Sequence, residues 1–225
     1  MREDRFPFKA VIFDMDGVIV DTEAYYQVEQ RMFFADMGIS VSDGELAGTV
    51  GESHQTFMRR MSEWLARGGI EVSPHEAVER YEAWALDHPR DYAAMLNPGV
   101  ADTLDELRRR GVRVALASSS PMDNIRAVLA ACGLLDAFEV IVSGEQFRES
   151  KPDPEIYLHT LDLLGLPADE CCCVEDSVPG IAAGKAAGLT VFAKREERFG
   201  FSQDAADAII DQVPDLLTAA CELKR

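Results

Sequence analysis

The chain has 225 residues, 47% of them hydrophobic and 28% charged, and a formal charge of −18 at pH 7, the make-up of an ordinary globular protein with room for one domain and an insertion. So acidic a balance argues against nucleic acid or an anionic membrane surface as a partner, since both require Lys and Arg, and no apolar stretch approaches the ~18 residues of a membrane span. Five cysteines, an odd count with three consecutive at Cys171 to Cys173, make a poor disulfide framework; with no signal-peptide run at the start, a cytoplasmic location is expected.

Ala10-Val11-Ile12-Phe13 opens the pattern as a short run of β-branched and aromatic residues that reads as a buried strand. It empties into Asp14-Met15-Asp16-Gly17. In an α/β sheet chemistry collects past the carboxyl ends of the strands. Two carboxylates two residues apart there suit Mg²⁺, or divide into a nucleophile and a proton carrier. The bland alternative is a polar turn that caps the strand.

Residues from about 21 to 95 carry helical periodicity without a convincing strand. Ser73-Pro74-His75-Glu76 has the spacing of a capping box with proline in the first turn. Val78, Tyr81, Trp84, Ala85 and His88 then recur at helical spacing, and Pro89 ends that helix. Asn97-Pro98-Gly99 is a turn back into the core. The basic run Arg108-Arg109-Arg110 falls in a helix's last turn, where cations favour the dipole.

From about 97 onward strands and helices alternate, the signature of a parallel sheet. Arg113 to Ala117 empties into Ser118-Ser119-Ser120, Phe138 to Val142 leads through Ser143-Gly144 to Lys151-Pro152, and Cys171 to Val174 empties into Glu175-Asp176-Ser177. Neighbouring strand residues point to opposite faces, so the three cysteines cannot converge on one metal and read as buried filler. Pro179 to Gly188 is a small-residue helix able to approach the sheet closely. Thr190 to Ala193 is a fifth strand, and Ala208 to Asp211 suggests a sixth at an edge. Four strands thus lead to clusters of carboxylates, hydroxyls and one ammonium, a set that suits a phosphoryl group beside a divalent cation.

The motifs Asp14-Met15-Asp16-Gly17-Val18, Ser118, Lys151-Pro152-Asp153-Pro154 and Glu175-Asp176-Ser177-Val178-Pro179-Gly180-Ile181 stand in order along the chain. In them the chain resembles the haloacid dehalogenase superfamily, in its phosphatase/β-phosphoglucomutase-like branch with a helical cap. The resemblance implies an α/β fold: a Rossmann-like three-layer parallel sheet core (residues 1–20 and 96–225) with an inserted α-helical cap (21–95). It implies Mg²⁺-dependent hydrolysis of small phosphomonoesters through an aspartyl-phosphate. Asp14 would be the nucleophile and Asp16 the general acid/base, with its backbone carbonyl joining the metal shell. Ser118, Ser119 and Lys151 would bind the phosphoryl group. Asp176 would ligate the metal beside Asp14, and Glu175 would be either a ligand or a neighbour of the site. Each has a plainer reading. Asp16 is alternatively a second metal carboxylate, Ser118 a helix N-cap, and Lys151 a solvated loop residue.

The cap is less informative. Thr22 is read as an N-cap or a hinge, and the loop Gly48 to His54 as reaching the active site, with Gly51 and His54 as possible substrate contacts. Gly51 and Ser53 depart from the mutase pattern, which has an arginine just after the matching glycine, and Tyr26 stands where that subgroup tends to have histidine. A β-phosphoglucomutase is therefore the alternative, not the first reading. A non-catalytic phosphate-binding protein is a distant one. Residues 21–95 contain no lysine, which excludes a Schiff-base phosphonate hydrolase. The expected partner is a small phosphorylated metabolite, and the expected state a monomer or weak dimer.

Overall fold

The computed structural model describes residues 6–49, 54–88 and 90–223. Strand β1 (Ala10–Phe13) is followed by four helices, α1 (Glu23–Asp36), α2 (Asp43–Ala47), α3 (His54–Arg67) and α4 (Pro74–Ala85). From α5 (Val100–Arg109) the chain alternates through β2 (Arg113–Ser118), α6 (Met122–Ala131), β3 (Val140–Ser143), α7 (Glu155–Leu164), β4 (Cys171–Glu175) and α8 (Val178–Ala186). It ends with β5 (Thr190–Lys194), β6 (Ala208–Ile210) and α9 (Leu216–Leu223).

By its contacts the chain divides into two compact units, one running to Asp21 and resuming at Tyr92, the other Thr22–Asp91. The first holds a six-stranded parallel sheet in the order β3-β2-β1-β4-β5-β6. The chain builds outward from β1 to β3, then returns to lay β4 on the other side of β1. That reversal places β1 beside the switch point where sites form in such sheets. A parallel sheet needs both faces covered, and the pleat of β1 meets that need. Val11 and Phe13 enter one apolar cluster with Leu116, Val174 and Phe192. Ala10 and Ile12 enter the other with Ala115, Ala117 and Ala193. The three cysteines divide the same way, Cys172 to the first and Cys171 and Cys173 to the second.

The second face is lined by small side chains, so α8 lies close against it. A Cβ at Gly184 would stand 2.7 Å from Cys173 Sγ and 2.9 Å from a Val191 methyl. Tyr92, Met95 and Leu96 pack against the first cluster. The returning segment is tied to the outgoing one by the isolated antiparallel bridge Val20–Leu96 and by the Asp21 N–H on the Met95 carbonyl at 2.8 Å.

The second unit is helical, around Phe33, Phe34, Leu46, Met61, Trp64, Leu65 and Tyr81. Phe34 meets Trp64 edge-on at 5.3 Å, and Phe33 meets Tyr81 likewise at 5.3 Å. Beside this core, Glu29 is 3% exposed and receives the Arg90 guanidinium and the Tyr81 hydroxyl. Of the capping box expected at Ser73, one half forms. Ser73 Oγ accepts the Glu76 N–H at 3.2 Å, while the Glu76 carboxylate turns to Arg80 four residues on, at 2.9 Å. A reciprocal box stands at Ser42 and Glu45, opening α2. No described helix is long and apolar enough to cross a membrane.

Candidate active site

The pairing registers place the site. Phe13 stands opposite Leu116 on β2 and Val174 on β4, so Asp14, Ala117 and Glu175 form the next row across three strands. Lys151 Nζ donates to one atom from each: Asp14 Oδ1 at 2.7 Å, the Ala117 carbonyl at 3.0 Å and Glu175 Oε1 at 2.6 Å. Its three donors are all used, and its side chain is 4% exposed. Burial disfavours the ammonium, but Asp14 and Glu175 outweigh it and hold the Lys151 pKa above the ordinary lysine value. Burial likewise pushes the Asp14 carboxyl up to about 7, with Lys151 pulling against it and Glu175 and Asp16 adding repulsion.

Glu175 is fully buried and its oxygens are occupied. Oε1 also accepts the Tyr157 hydroxyl, and Oε2 receives the Ser177 hydroxyl and the Asp176 N–H, each at 3.3 Å. Gly180 in α8 lies directly on this carboxylate, and a Cβ there would overlap it. No sequence motif includes Tyr157. The signal for it is a tyrosine in the buried stripe Ile156, Tyr157, Thr160, Leu161 and Leu164 of α7, where a buried hydroxyl needs a partner.

Beyond Asp14 the chain folds back on itself. Gly17 takes φ +79°, its N–H donates to the Val20 carbonyl at 2.7 Å, and Asp16 bridges to Val20. The Asn97 amide fastens this loop by donating to the carbonyls of Gly17 at 3.2 Å and Val18 at 2.9 Å. Sequence reading gave Asn97 only a turn. The Asp16 carboxylate accepts the Ser120 hydroxyl at 2.9 Å, so the third serine of the triplet is the one beside Asp16. Ser118 is buried, and its Oγ accepts the Ser120 N–H at 3.1 Å instead of capping α6. The open N–H of Met122 in α6 goes to the Glu145 carboxylate at 2.7 Å. At Ser119 the backbone runs close to Gly144, where a Cβ would lie 3.0 Å from Ser119 Cα.

The carboxylates of Asp14, Glu175 and Asp176 supply oxygens within 4.8 Å of one another. Gly17 is what admits Asp176 to this group, since a Cβ at residue 17 would stand 2.5 Å from Asp176 Cγ and nearer still to its Oδ2. A buried, all-oxygen, carboxylate-rich set fits a hard divalent cation such as Mg²⁺. The Asp16 carboxylate is not among that group. Thr22 stands at the N-cap of α1, but its backbone is already helical (φ −86°, ψ −25°) and its side chain makes no capping hydrogen bond. His54 begins α3, its ring 6.4 Å from that of Phe57. Gly51 lies outside the described residues.

Fold and site together define a hydrolase of the α/β type with its carboxylates on the switch point. Residues 8–188 match the family model of the haloacid dehalogenase-like hydrolases, and the chain belongs to that family, in the branch of phosphatases and β-phosphoglucomutase-like proteins. It is 34% identical to hexitol phosphatase B of Escherichia coli over 182 residues, 80% of each chain. To the protein CbbY of Rhodobacter capsulatus it is 32% identical over 227 residues, 95% of this chain and 96% of the other. CbbY of Rhodobacter sphaeroides, solved with phosphate, superposes with a TM-score of 0.71 at 27% identity, covering 96% and 99% of the two chains. A variant of it, solved with xylulose-(1,5)bisphosphate, gives 0.70 at 26%, covering 92% and 96%. Against the chloroplastic protein Suppressor of Quenching 1 of Arabidopsis thaliana, the match (32% over 186 residues, 82% of this chain) spans 17% of that longer protein.

Proposed function

We propose that the protein is a Mg²⁺-dependent phosphatase of small phosphomonoesters, sugar phosphates foremost, working through a phosphoryl group on Asp14. The observation that carries this reading is the convergence of Asp14, Glu175 and Asp176 on one spot, with the Lys151 ammonium between two of them. The hexitol phosphatase and the CbbY sugar bisphosphate complex support the substrate class.

Asp14, Asp176 and the backbone carbonyl of Asp16 would hold the cation. When bound, Mg²⁺ would supply the positive charge that offsets repulsion between a carboxylate and phosphoryl oxygens. The Asp14 carboxylate attacks phosphorus as the bond to the ester oxygen breaks, and Asp16 gives that oxygen its proton. Asp16, now ionised, takes a proton from water, whose oxygen attacks the phosphoryl group and frees phosphate and Asp14. Ser118 and Ser119 bind the phosphoryl oxygens, and Lys151 joins them by exchanging its hydrogen bond to Asp14 for one to the phosphoryl group. Glu175 and Tyr157 keep Lys151 charged and in place, so in this reading Glu175 positions and does not ligate. The helical unit acts as the cap that selects the ester, with Thr22, Gly51 and His54 as its candidate contacts.

The test is Mg²⁺-dependent phosphate release across a panel of phosphomonoesters that includes β-glucose 1-phosphate. Release is expected from sugar phosphates and is expected to vanish in Asp14→Asn; release that survives that substitution overturns the mechanism. Conversion of β-glucose 1-phosphate to glucose 6-phosphate, without net phosphate release, would establish the mutase instead.

A further inference from the structure

We propose that Gln203, which no motif includes, is a positioning residue for Asp176 and through it for the divalent cation. The ladder between β4 and β5 ends at Glu175 opposite Ala193, so the carbonyls of Asp176 and Lys194 project past the paired region. The Gln203 side-chain amide donates to both, at 2.6 Å to Asp176 O and 2.8 Å to Lys194 O. An amide NH₂ has two hydrogens, and here each is placed on a different strand end. Its Oε1 accepts the Glu196 N–H at 3.0 Å. Gln203 is 6% exposed, so this is an interior staple and not a surface contact.

The segment that presents Gln203 is itself held. Glu196 is 5% exposed, and its carboxylate receives the Arg198 backbone N–H at 2.7 Å and the guanidinium Nε at 3.0 Å. The same guanidinium spans to Asp21 at 2.8 and 3.0 Å. Asp176 is the last residue before Ser177, whose hydroxyl caps α8 through the Gly180 N–H at 3.1 Å. Between the end of a strand and the cap of a helix, one peptide carbonyl sets how the Asp176 side chain is aimed, and Gln203 fixes that carbonyl. Partners that orient ligand carboxylates typically change metal affinity ten- to a hundredfold when removed.

The inference rests on Asp176 being a ligand of the cation, and the experiment separates the two. Mg²⁺ is titrated calorimetrically into metal-free wild type, Gln203→Leu, Gln203→Glu, Asp176→Asn and Arg195→Gln. The last breaks the exposed Arg195–Asp211 bridge in the same segment and serves as the control. Gln203→Leu is expected to weaken the Mg²⁺ Kd at least about tenfold, with turnover restored by raised Mg²⁺, while Arg195→Gln keeps the wild-type Kd. Gln203→Glu, isosteric but with an acceptor facing two carbonyls, carries the same expectation should the leucine variant not fold. Wild-type Kd in both Gln203 variants, with Asp176→Asn weakened, overturns the positioning role and leaves a staple that affects only the melting temperature without metal. Wild-type Kd in Asp176→Asn overturns the ligand assignment, and this inference with it.

Discussion

Replacing Gly17 with alanine adds one methyl group directly against the Asp176 carboxylate. Its carbon would stand 2.5 Å from Asp176 Cγ, against an ordinary carbon contact of about 3.5–4.0 Å, so the carboxylate has to retreat by about 1 Å or more. The backbone at φ +79° adds its own cost of about 1–2 kcal/mol for a side chain in the left-handed region. Overpacking typically costs about 1–3 kcal/mol, so Gly17→Ala is expected to lose about 2–5 kcal/mol in urea unfolding. Gly111→Ala isolates the backbone part, because Gly111 has φ +76° and nothing within 4 Å of the added carbon; it should lose only about 1–2 kcal/mol. Displacement of a reacting group by about 1 Å is worth on the order of 10²-fold in rate. Mg²⁺-dependent phosphate release should therefore fall by about that factor in Gly17→Ala and be unchanged in Gly111→Ala. Equal stability losses in the two variants, or a Gly17→Ala enzyme within twofold of wild type, would refute the reasoning.

Lys151→Met leaves the buried carboxylates of Asp14 and Glu175 facing each other uncompensated, and urea unfolding should show a loss of about 3–5 kcal/mol; a loss below about 1 kcal/mol would count against the buried ion pairs. Burial pushes the Cys173 thiol well above its ordinary value and that of Cys171 to about 11, and all three β4 cysteines are fully buried. Thiol titration of the native protein should reach only the half-buried Cys132 and Cys221, and all five after unfolding. Hydrogen bonds from Arg109 and then Arg110 hold the Glu106 carboxyl at about 2. Its contribution to stability is present above its ordinary value near 4.5 and is lost as pH falls toward 2. Urea midpoints should therefore drop less between pH 5 and pH 3 in Glu106→Gln than in wild type.

Sheet, helices and the chemical row were legible because each rests on local spacing. The run Ala10 to Phe13 marks a strand wherever it is placed, and carboxylates directly after a strand sit at its end. Alternation of side chains between the two faces of a strand decides that Cys171 to Cys173 cannot share one ion and are filler. Tertiary structure alone decided which atoms meet. Glu175 and Asp176 are adjacent in sequence and equal in charge, yet the sheet turns Glu175 inward to Lys151 and Tyr157, while Gly17 opens space for Asp176 from a loop more than 150 residues earlier. Ser118, Ser119 and Ser120 are chemically identical, and only the turn at the end of β2 directs Ser120 to Asp16. Asn97 and Gln203 sit in unremarkable polar turns, and their roles arise from carbonyls that neighbouring strand ends leave open. Local pattern determines where a chain is buried and where it turns, because periodicity is a property of one segment. Partnership between buried polar groups belongs to several segments at once, and the packing of β1, β2 and β4 around Lys151 is what assigns it.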